Sequence, residues 1–450
     1  MRIRKQKSET KETRNKMERK KLILFILLYL VFRGYNIEAQ EMITLKECYD
    51  RAYTAAVVSA EKEVYNRIWE YKDKNLSRGW LPTLDANGSF TYNSSVMDIN
   101  DVIGALPVPG IGDMIKPLPN EQYKVTVDIN QMIYDGGAIK SARAFERAGL
   151  LVNEKQNETD LYKLRSEVNT YYFNILLLER QEDLLQNYLE LINKKIIALE
   201  SAVENGVVPK SDIDVLNSEK LKLEQQISEN SIRKTSLIKN LSDLTGYKTD
   251  TSAQLVIPPI NEELTDELLR PELQIFDLRK EQLEESVKQI QSRRIPKAFG
   301  FATFGYGNPP GSNFFRDEFA PFYILGAGVK WNILDWNKAK NEKQIVLLQK
   351  DLIDGRKKEM KDNLKRMLNA KNAEIKSMKE LLETDIELIE LRKRITSAAE
   401  SKYNNGTITA TEYLSELNAE NQARINYEIH TISLALARVE YMNISGQEIE

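Results

Sequence analysis

The chain has 450 residues, 29% charged and 42% hydrophobic, a balance that suits long solvated helices better than one large globular core. Its 64 basic and 67 acidic residues nearly cancel, so bulk charge gives no reason to expect nucleic acid. A single cysteine, Cys48, and a single histidine, His430, exclude an intrachain disulfide and leave little material for zinc chemistry or a serine–histidine triad.

At the N-terminus, Arg19-Lys20-Lys21 precedes the apolar run Leu22 to Phe32, and a cleavable site follows near Ala39-Gln40. The run is too short for the roughly 20 residues of a spanning helix. Residues 1–39 therefore read as a signal peptide with an upstream segment, and Met17 is a plausible start. No later stretch has the length and apolarity of a transmembrane helix, so entry into a membrane would have to be by strands.

A first repeat is expected over residues 40–250. Thr44-Leu-Lys-Glu47 reads as a capping box opening a helix to about Arg78, and Trp80-Leu-Pro82 ends it. The period then becomes two. Leu84, Ala86, Gly88, Phe90 and Tyr92 alternate with Asp85, Asn87, Ser89 and Thr91. Tyr123, Val125, Val127 and Ile129 alternate with Lys124, Thr126, Asp128 and Asn130. A long Pro- and Gly-containing loop, Asn93 to Gln122, joins the two strands. After Ile133-Tyr-Asp135-Gly-Gly, an unbroken helix is predicted from about Ala138 to Glu204, roughly 100 Å long. Its apolar positions fall three and four apart: Leu161, Leu164, Val168, Tyr171, Ile175, Leu178, then Leu185, Leu189, Ile192, Ile196, Leu199 and Val203. Glu182 is the one polar interruption of this heptad pattern, which implies left-handed supercoiling against neighbours. A turn, Glu204-Asn-Gly206 to Asp212, leads into a further helix that ends on Leu244-Thr-Gly246.

Residues 251–268, with Pro258-Pro259, read as a linker, and 269–446 as a second repeat of the same order, followed by a tail at 447–450. Its first helix opens on Arg270-Pro-Glu-Leu273, with proline at the first helical position, and stops near Arg294-Ile-Pro296. The strand Ala298 to Tyr306 is apolar and aromatic on both faces, so its facing is ambiguous. Its partner, Tyr323 to Ile333, alternates cleanly. Ile333-Leu-Asp335-Trp-Asn then opens a helix from about Lys338 to Asn404, with a less regular heptad pattern. A second turn, Asn404-Asn-Gly406 to Glu412, repeats the first. Leu216-Asn217 and Leu417-Asn418 follow the two turns in register.

Four amphipathic strands of about ten residues are long enough to cross a bilayer when tilted, yet four cannot close a barrel, and bare edges are not viable in lipid. Three copies would give twelve strands with a lumen, and would supply partners for the heptad faces. The expected fold is thus a membrane β-barrel joined to an α-helical coiled-coil barrel, internally duplicated, with four strands per chain and twelve in a trimer.

In order and duplication the chain resembles TolC-family outer-membrane efflux proteins, over about Met42 to Gly446. The motifs carrying the likeness are Leu45-Lys-Glu-Cys48, Arg270-Pro-Glu-Leu273, the Ile-x-Asp strand ends at 135 and 335, Tyr403-Asn-Asn-Gly406 and Leu417-Asn-Ala-Glu420. The resemblance implies a homotrimer in the bacterial outer membrane with a long periplasmic portion. It would be an exit duct for small molecules or type I secretion, docked to a periplasmic adaptor (membrane fusion protein) and an inner-membrane pump. Neither catalytic residues nor a cofactor or metal is implied. It places a periplasmic gate at the turns. Tyr403 takes the family's tyrosine position and Glu412 its first acidic position. The second acidic position falls at Ser415 or Glu416, and the family's arginine falls on Ile408. Asp212 and Asp214 are the acidic candidates after the first turn. Gly206, Val207, Val208 and Pro209, with Gly406, Thr407 and Ile408, are the candidate adaptor-docking tips.

Each assignment has a local alternative. Glu412 can close a capping box with Thr409, Asp212 and Asp214 can sit in the first turn after a Ser211 cap, and Tyr403 can be a heptad core residue. Gly206 and Gly406 can be helix C-caps, and Cys48 and His430 packing or surface residues. The competing class is a secreted coiled-coil scaffold or adhesin without a channel. The heptads fit that class; two matched hairpins do not. An enzyme is the least supported class.

Overall fold

The computed structural model describes residues 42–96, 118–205, 208–246, 254–259, 264–313 and 316–449. The expectations on the signal peptide, on Gly206 and Val207, and on most of the first hairpin loop and of the linker lie outside them. A two-residue strand β1 (Met42–Ile43) opens the described chain, followed by α1 (Leu45–Ala55) and α2 (Val57–Ser77). Strands β2 (Thr83–Tyr92) and β3 (Glu121–Tyr134) lead to α3 (Ala138–Glu204) and α4 (Lys210–Thr245). A second two-residue strand, β4 (Gln254–Leu255), precedes α5 (Pro271–Ser292). The second half closes with β5 (Lys297–Asn308), β6 (Ala320–Lys330), α6 (Lys338–Asn404) and α7 (Ala410–Ser445). The duplication is metrical: α3 and α6 have 67 residues each, α4 and α7 have 36 each.

The first helix departs from the single rod expected. Ala56 adopts an extended backbone, ψ 131°, and splits it into α1 and α2. The break is covered on both sides: the Ala56 N–H still donates to Ala52 O at 3.0 Å, and Asn157 of α3 donates to the Val58 carbonyl. The capping box at Thr44 is half formed. Thr44 Oγ1 accepts from the Glu47 N–H at 3.2 Å, but the Glu47 carboxylate turns to Arg51 instead of reaching back.

The long strands form one antiparallel sheet in the order β2-β3-β5-β6. Its register resolves the facing of β5. Asp128 stands opposite Thr303 and accepts its hydroxyl hydrogen bond, and Asn87 and Thr126 donate to the same carboxylate. Phe299, Phe301, Thr303 and Gly305 therefore share the polar face, while Ala302, Phe304 and Tyr306 stand opposite Ile129, Val127 and Val125 on the apolar one. The phenyl rings on the polar face lie over glycines: Phe299 on Gly328, Phe301 on Gly326 and Phe322 on Gly305. That placement explains how aromatic residues occupy both faces of β5, and it braces a strand pair otherwise weakened by glycine. β6 stops at Lys330, short of the expected Ile333, because β5 begins at Lys297, opposite Lys330, and offers nothing further to pair with.

Both long helices start on the same device. Asp135 accepts from the Gly137 N–H at 2.8 Å and from the Ile139 N–H, and Asp335 accepts from the Ala339 N–H at 3.1 Å. The two residues after each aspartate are left-handed: Gly136 and Gly137 in the first repeat, Trp336 and Asn337 in the second. A Cβ on Gly136 would stand 2.8 Å from Ile295 Cβ, so glycine is required there for space as well as for φ.

Three apolar clusters hold the helices. One gathers α1, the middle of α3, and the ends of α4 and α7 around β1 and β4, which pair in parallel. There the buried Tyr172 hydroxyl donates to Ile43 O at 2.9 Å and to Val256 O at 2.6 Å, tying the two short strands to α3. A second sits at the far end of α3 and contains the expected Leu185, Ile192, Ile196 and Leu199. The third lies among α5, α6 and α7. Glu182, the polar break in the heptads, pairs with Lys234 of α4 at 2.5 Å. No described helix is long and apolar enough to cross a membrane.

Candidate functional site: the paired turns

The two turns lie side by side. Val208, Pro209 and Asp212 from the first, and Tyr403, Gly406, Thr407, Ile408 and Glu412 from the second, line one cleft of about 550 Å³. The second turn is a Schellman motif. Gly406 has φ +69°, its N–H donates to Tyr403 O at 2.9 Å, and the Thr407 N–H donates to Lys402 O at 2.9 Å. Thr409 then caps α7. Its hydroxyl accepts from the Glu412 N–H at 3.2 Å, and the Glu412 carboxylate accepts from the Thr409 N–H at 2.8 Å. The capping box that the sequence allowed is formed, and the Thr409 N–H holds the Glu412 carboxyl below its ordinary value.

At the first turn Ser211 is not the cap. The helix begins at Lys210, with Pro209 in extended conformation before it, and the Asp212 N–H donates to Pro209 O at 3.1 Å. Asp212 is thus in the first turn, where the helix dipole favours a carboxylate. Asp214 is exposed, and neither it nor Glu416 lines the cleft. Glu416 faces Arg392 of α6 at 3.4 Å, and its backbone carbonyl accepts from Thr396 at 3.2 Å.

Tyr403 is stacked face to face on the buried Tyr413, ring centroids 5.3 Å apart and 5° from parallel. Its hydroxyl is buried and has no hydrogen-bond partner among the described residues. Burial, then the Asp212 charge, raises its pKa, and burial with the Glu400 carboxylate pushes Tyr413 up to about 12. Both are neutral phenols. Lys195 also lines the cleft; it pairs with Glu400 and lies 5.6 Å from the Tyr413 ring centre. The wall is therefore mixed in sign: a lysine, two carboxylates and a neutral tyrosine whose hydroxyl is unspent. Lys195 was not singled out from the sequence, since a lysine on a long charged helix carries no distinguishing signal there. No group of three or more His, Cys, Asp or Glu able to hold a metal occurs among the described residues.

Residues 75–246 match the family model described as outer membrane efflux protein. No curated protein matches the chain. Among solved structures, the chain is similar in fold to CusC, with TM-score 0.66 and 12% identity, covering 90% of this chain and 92% of that one. It is likewise similar to VceC of Vibrio cholerae (TM-score 0.64, 12% identity, 90% and 97% covered). A third is the outer membrane channel CmeC of Campylobacter jejuni (TM-score 0.61, 16% identity, 90% and 86% covered). At these identities the likeness speaks for the fold, and it extends to the second repeat, which the family model does not reach.

Proposed function

We propose that this chain belongs to the outer membrane efflux protein family and is an exit duct in the bacterial outer membrane, built from three copies. The sheet supplies a twelve-stranded barrel and the helices a long periplasmic tunnel. The carrying observation is that the chain is open at matching places in both layers. Among the described residues, β2 and β6 are the unpaired edges of the sheet, and their apolar faces are exposed, including Leu84, Phe90, Leu325 and Val329. In the helices, α3 packs against α2, α4 and α5, whereas α6 packs against α7 and α5, with no comparable packing on α2 within the described chain. Pseudo-symmetry supplies the missing contact: α5 bridges α3 and α6, so α2 bridges α3 and the α6 of the next copy. The same step sets β6 of one copy beside β2 of another. Membrane fractionation and cross-linking test this reading, and conductance of detergent-purified protein in a planar bilayer tests the duct. A soluble monomer without conductance contradicts it.

The paired turns are the periplasmic end of that duct. Asp212 and Glu412 would ring the aperture three times each, Asp214 and Glu416 would stand further out, and the unspent Tyr403 hydroxyl would be available for a bond across the gate. Such carboxylate rings favour cations. Gly206, Val207, Val208 and Pro209 with Gly406, Thr407 and Ile408 would be the tips that a periplasmic adaptor, coupled to an inner-membrane pump, engages.

A further inference from the structure

The polar cluster around Arg165 has hydrogen-bonding capacity that the chain leaves unused. Arg165 of α3 is buried. Its Nε donates to the Tyr53 hydroxyl, and its Nη2 donates to both Glu448 oxygens at 2.8 and 2.7 Å. The guanidinium lies against the Tyr162 ring, 4.4 Å from its centre. One turn on, the side-chain oxygen of buried Asn169 accepts from Tyr49. Asn443 of α7 donates weakly to the same hydroxyl at 3.4 Å, and its backbone carbonyl accepts from Tyr162 at 2.8 Å and Arg270 at 3.0 Å. After these bonds three buried atoms of the cluster have no partner among the described residues: Arg165 Nη1, Asn169 Nδ2 and Asn443 Oδ1. Leaving such groups unmet is costly, and each calls for an explanation.

All three residues line one cleft of about 400 Å³ between α3, α6 and α7, and Lys163, Arg270 and Lys371 complete its cationic wall. Of the carboxylates that pair with these cations, Asp160, Glu448, Glu272 and Glu374 lie outside the wall, whereas Glu440, 2.6 Å from Lys371, is part of it; the wall thus carries four cations, Lys163, Arg165, Arg270 and Lys371, against one carboxylate. The unmet set is two donors, one of them charged, and one acceptor. A hydrogen phosphate group has the complementary set: anionic oxygens for Arg165 and Asn169, and a P–OH for the Asn443 oxygen. Sulfate at neutral pH has no such proton, and a carboxylate has neither the proton nor the third oxygen. We propose that this cleft, at the junction of the two repeats and far along the chain from the turns, binds a small phosphate or phosphate monoester anion.

The test uses the full-length detergent-purified protein and inorganic phosphate in equilibrium dialysis with labelled phosphate. One saturable site per chain is expected, with sulfate competing roughly tenfold less well, on the scale of one lost hydrogen bond to a charged group. Asn169→Asp keeps the oxygen that Tyr49 uses and replaces the free donor with a negative oxygen; it should weaken phosphate binding roughly tenfold or more. Should that variant fail to fold, Lys163→Glu at the exposed rim changes no buried bond and should also weaken binding several-fold. Circular dichroism monitors both. Absence of saturable phosphate binding by the wild type overturns the proposal, leaving water as the occupant. Equal competition by sulfate, or unchanged affinity in the folded variants, overturns it as well.

Discussion

The two 67-residue helices are counterparts in sequence and length, yet they meet different fates within one chain. Near the start of α3 the apolar residues Leu150 and Val152 are buried, and Val152 is the counterpart of Leu352 in α6. In α6 the equivalent stretch is bare. Ile345, Leu348 and Leu352, spaced three and four apart, are all more than half exposed. Both helices carry apolar stripes that a solvated rod would not need, so the difference lies in the neighbours. The first repeat finds its second flanking helix, α5, inside the chain; on the proposed assembly the second repeat finds α2 in another copy.

Substitutions that separate the two helices should have the largest effects. Ile192→Asp places an unpaired charge in the α3 core and should cost about 4 kcal/mol or more, abolishing folded protein by circular dichroism. Leu352→Asp should leave the chain folded and remove the trimer from native gels. If Leu352→Asp assembles normally, the bare stripe of α6 is not an interface.

The sheet offers a second contrast, between its faces. Val127→Arg turns a charge toward lipid and should cost roughly 2–4 kcal/mol near the bilayer midplane. Asn87→Arg stays on the polar face beside Asp128 and should be tolerated. Thr126, although on that same face, is a poor control, because it is buried and bonded to Asp128. Equal loss of assembled protein from Val127→Arg and Asn87→Arg would show that the faces are exchanged.

A smaller contrast lies where the long helices begin. Gly136→Ala meets Ile295 in a left-handed backbone and should destabilise by about 1–3 kcal/mol in thermal unfolding. Trp336→Gly, at the equivalent left-handed residue of the second repeat, should be neutral or gain up to about 1 kcal/mol, since it relieves the backbone and the indole is exposed. Trp336→Gly destabilising as much as Gly136→Ala would mean that the exposed indole has a partner in the assembly.

The smallest effects belong to the turns. The Glu412 carboxyl has a depressed pKa, so its contribution is present above the unfolded value of about 4.5 and is lost as pH falls through the lower folded one. Glu412→Gln keeps the cap but lacks that contribution, so its stability should lie slightly below wild type at neutral pH and converge with it as pH falls through that acidic window. In the bilayer it should also lower cation selectivity; unchanged selectivity makes Glu412 a helix cap alone. Tyr403→Phe removes an unpartnered hydroxyl and should shift chain stability by less than about 1 kcal/mol. A marked rise in its resting conductance would show that the hydroxyl bonds across the gate.

Periodicity made the long elements legible. The 3–4 spacing from Leu161 to Val203 marks the greater part of α3, up to its C-terminal end, and the alternation in β2, β3 and β6 defines their faces. It could not orient β5, because phenylalanines stand on both of its faces, and only the pairing of Asp128 with Thr303 fixes which rings turn to the polar side. The break at Ala56 left no local mark, since its covering bond comes from Asn157, about a hundred residues away. Arg165, Asn169 and Asn443 were equally hidden: on a long charged helix each reads as a solvated polar residue until α1, α3 and α7 pack together. At the turns the residue types were readable, but their grouping was not. Asp212, Tyr403 and Glu412 share a cleft, whereas Asp214 and Glu416 stand outside it.

The most direct test of closure by neighbouring copies uses the internal symmetry as a ruler. Within the chain, Gly149 of α3 sits against Gln282 of α5. Gln349 has the place in α6 that Gly149 has in α3, and Ile68 stands as far before Pro82 as Gln282 stands before Pro296. Both Gln349 and Ile68 are exposed, and the native Cys48 is buried. The doubly substituted protein, Ile68→Cys with Gln349→Cys, should on mild oxidation in membranes give reducible bands of two and three chains and none larger. Failure to form intermolecular bands, or a ladder that continues past three, would contradict the closed trimer.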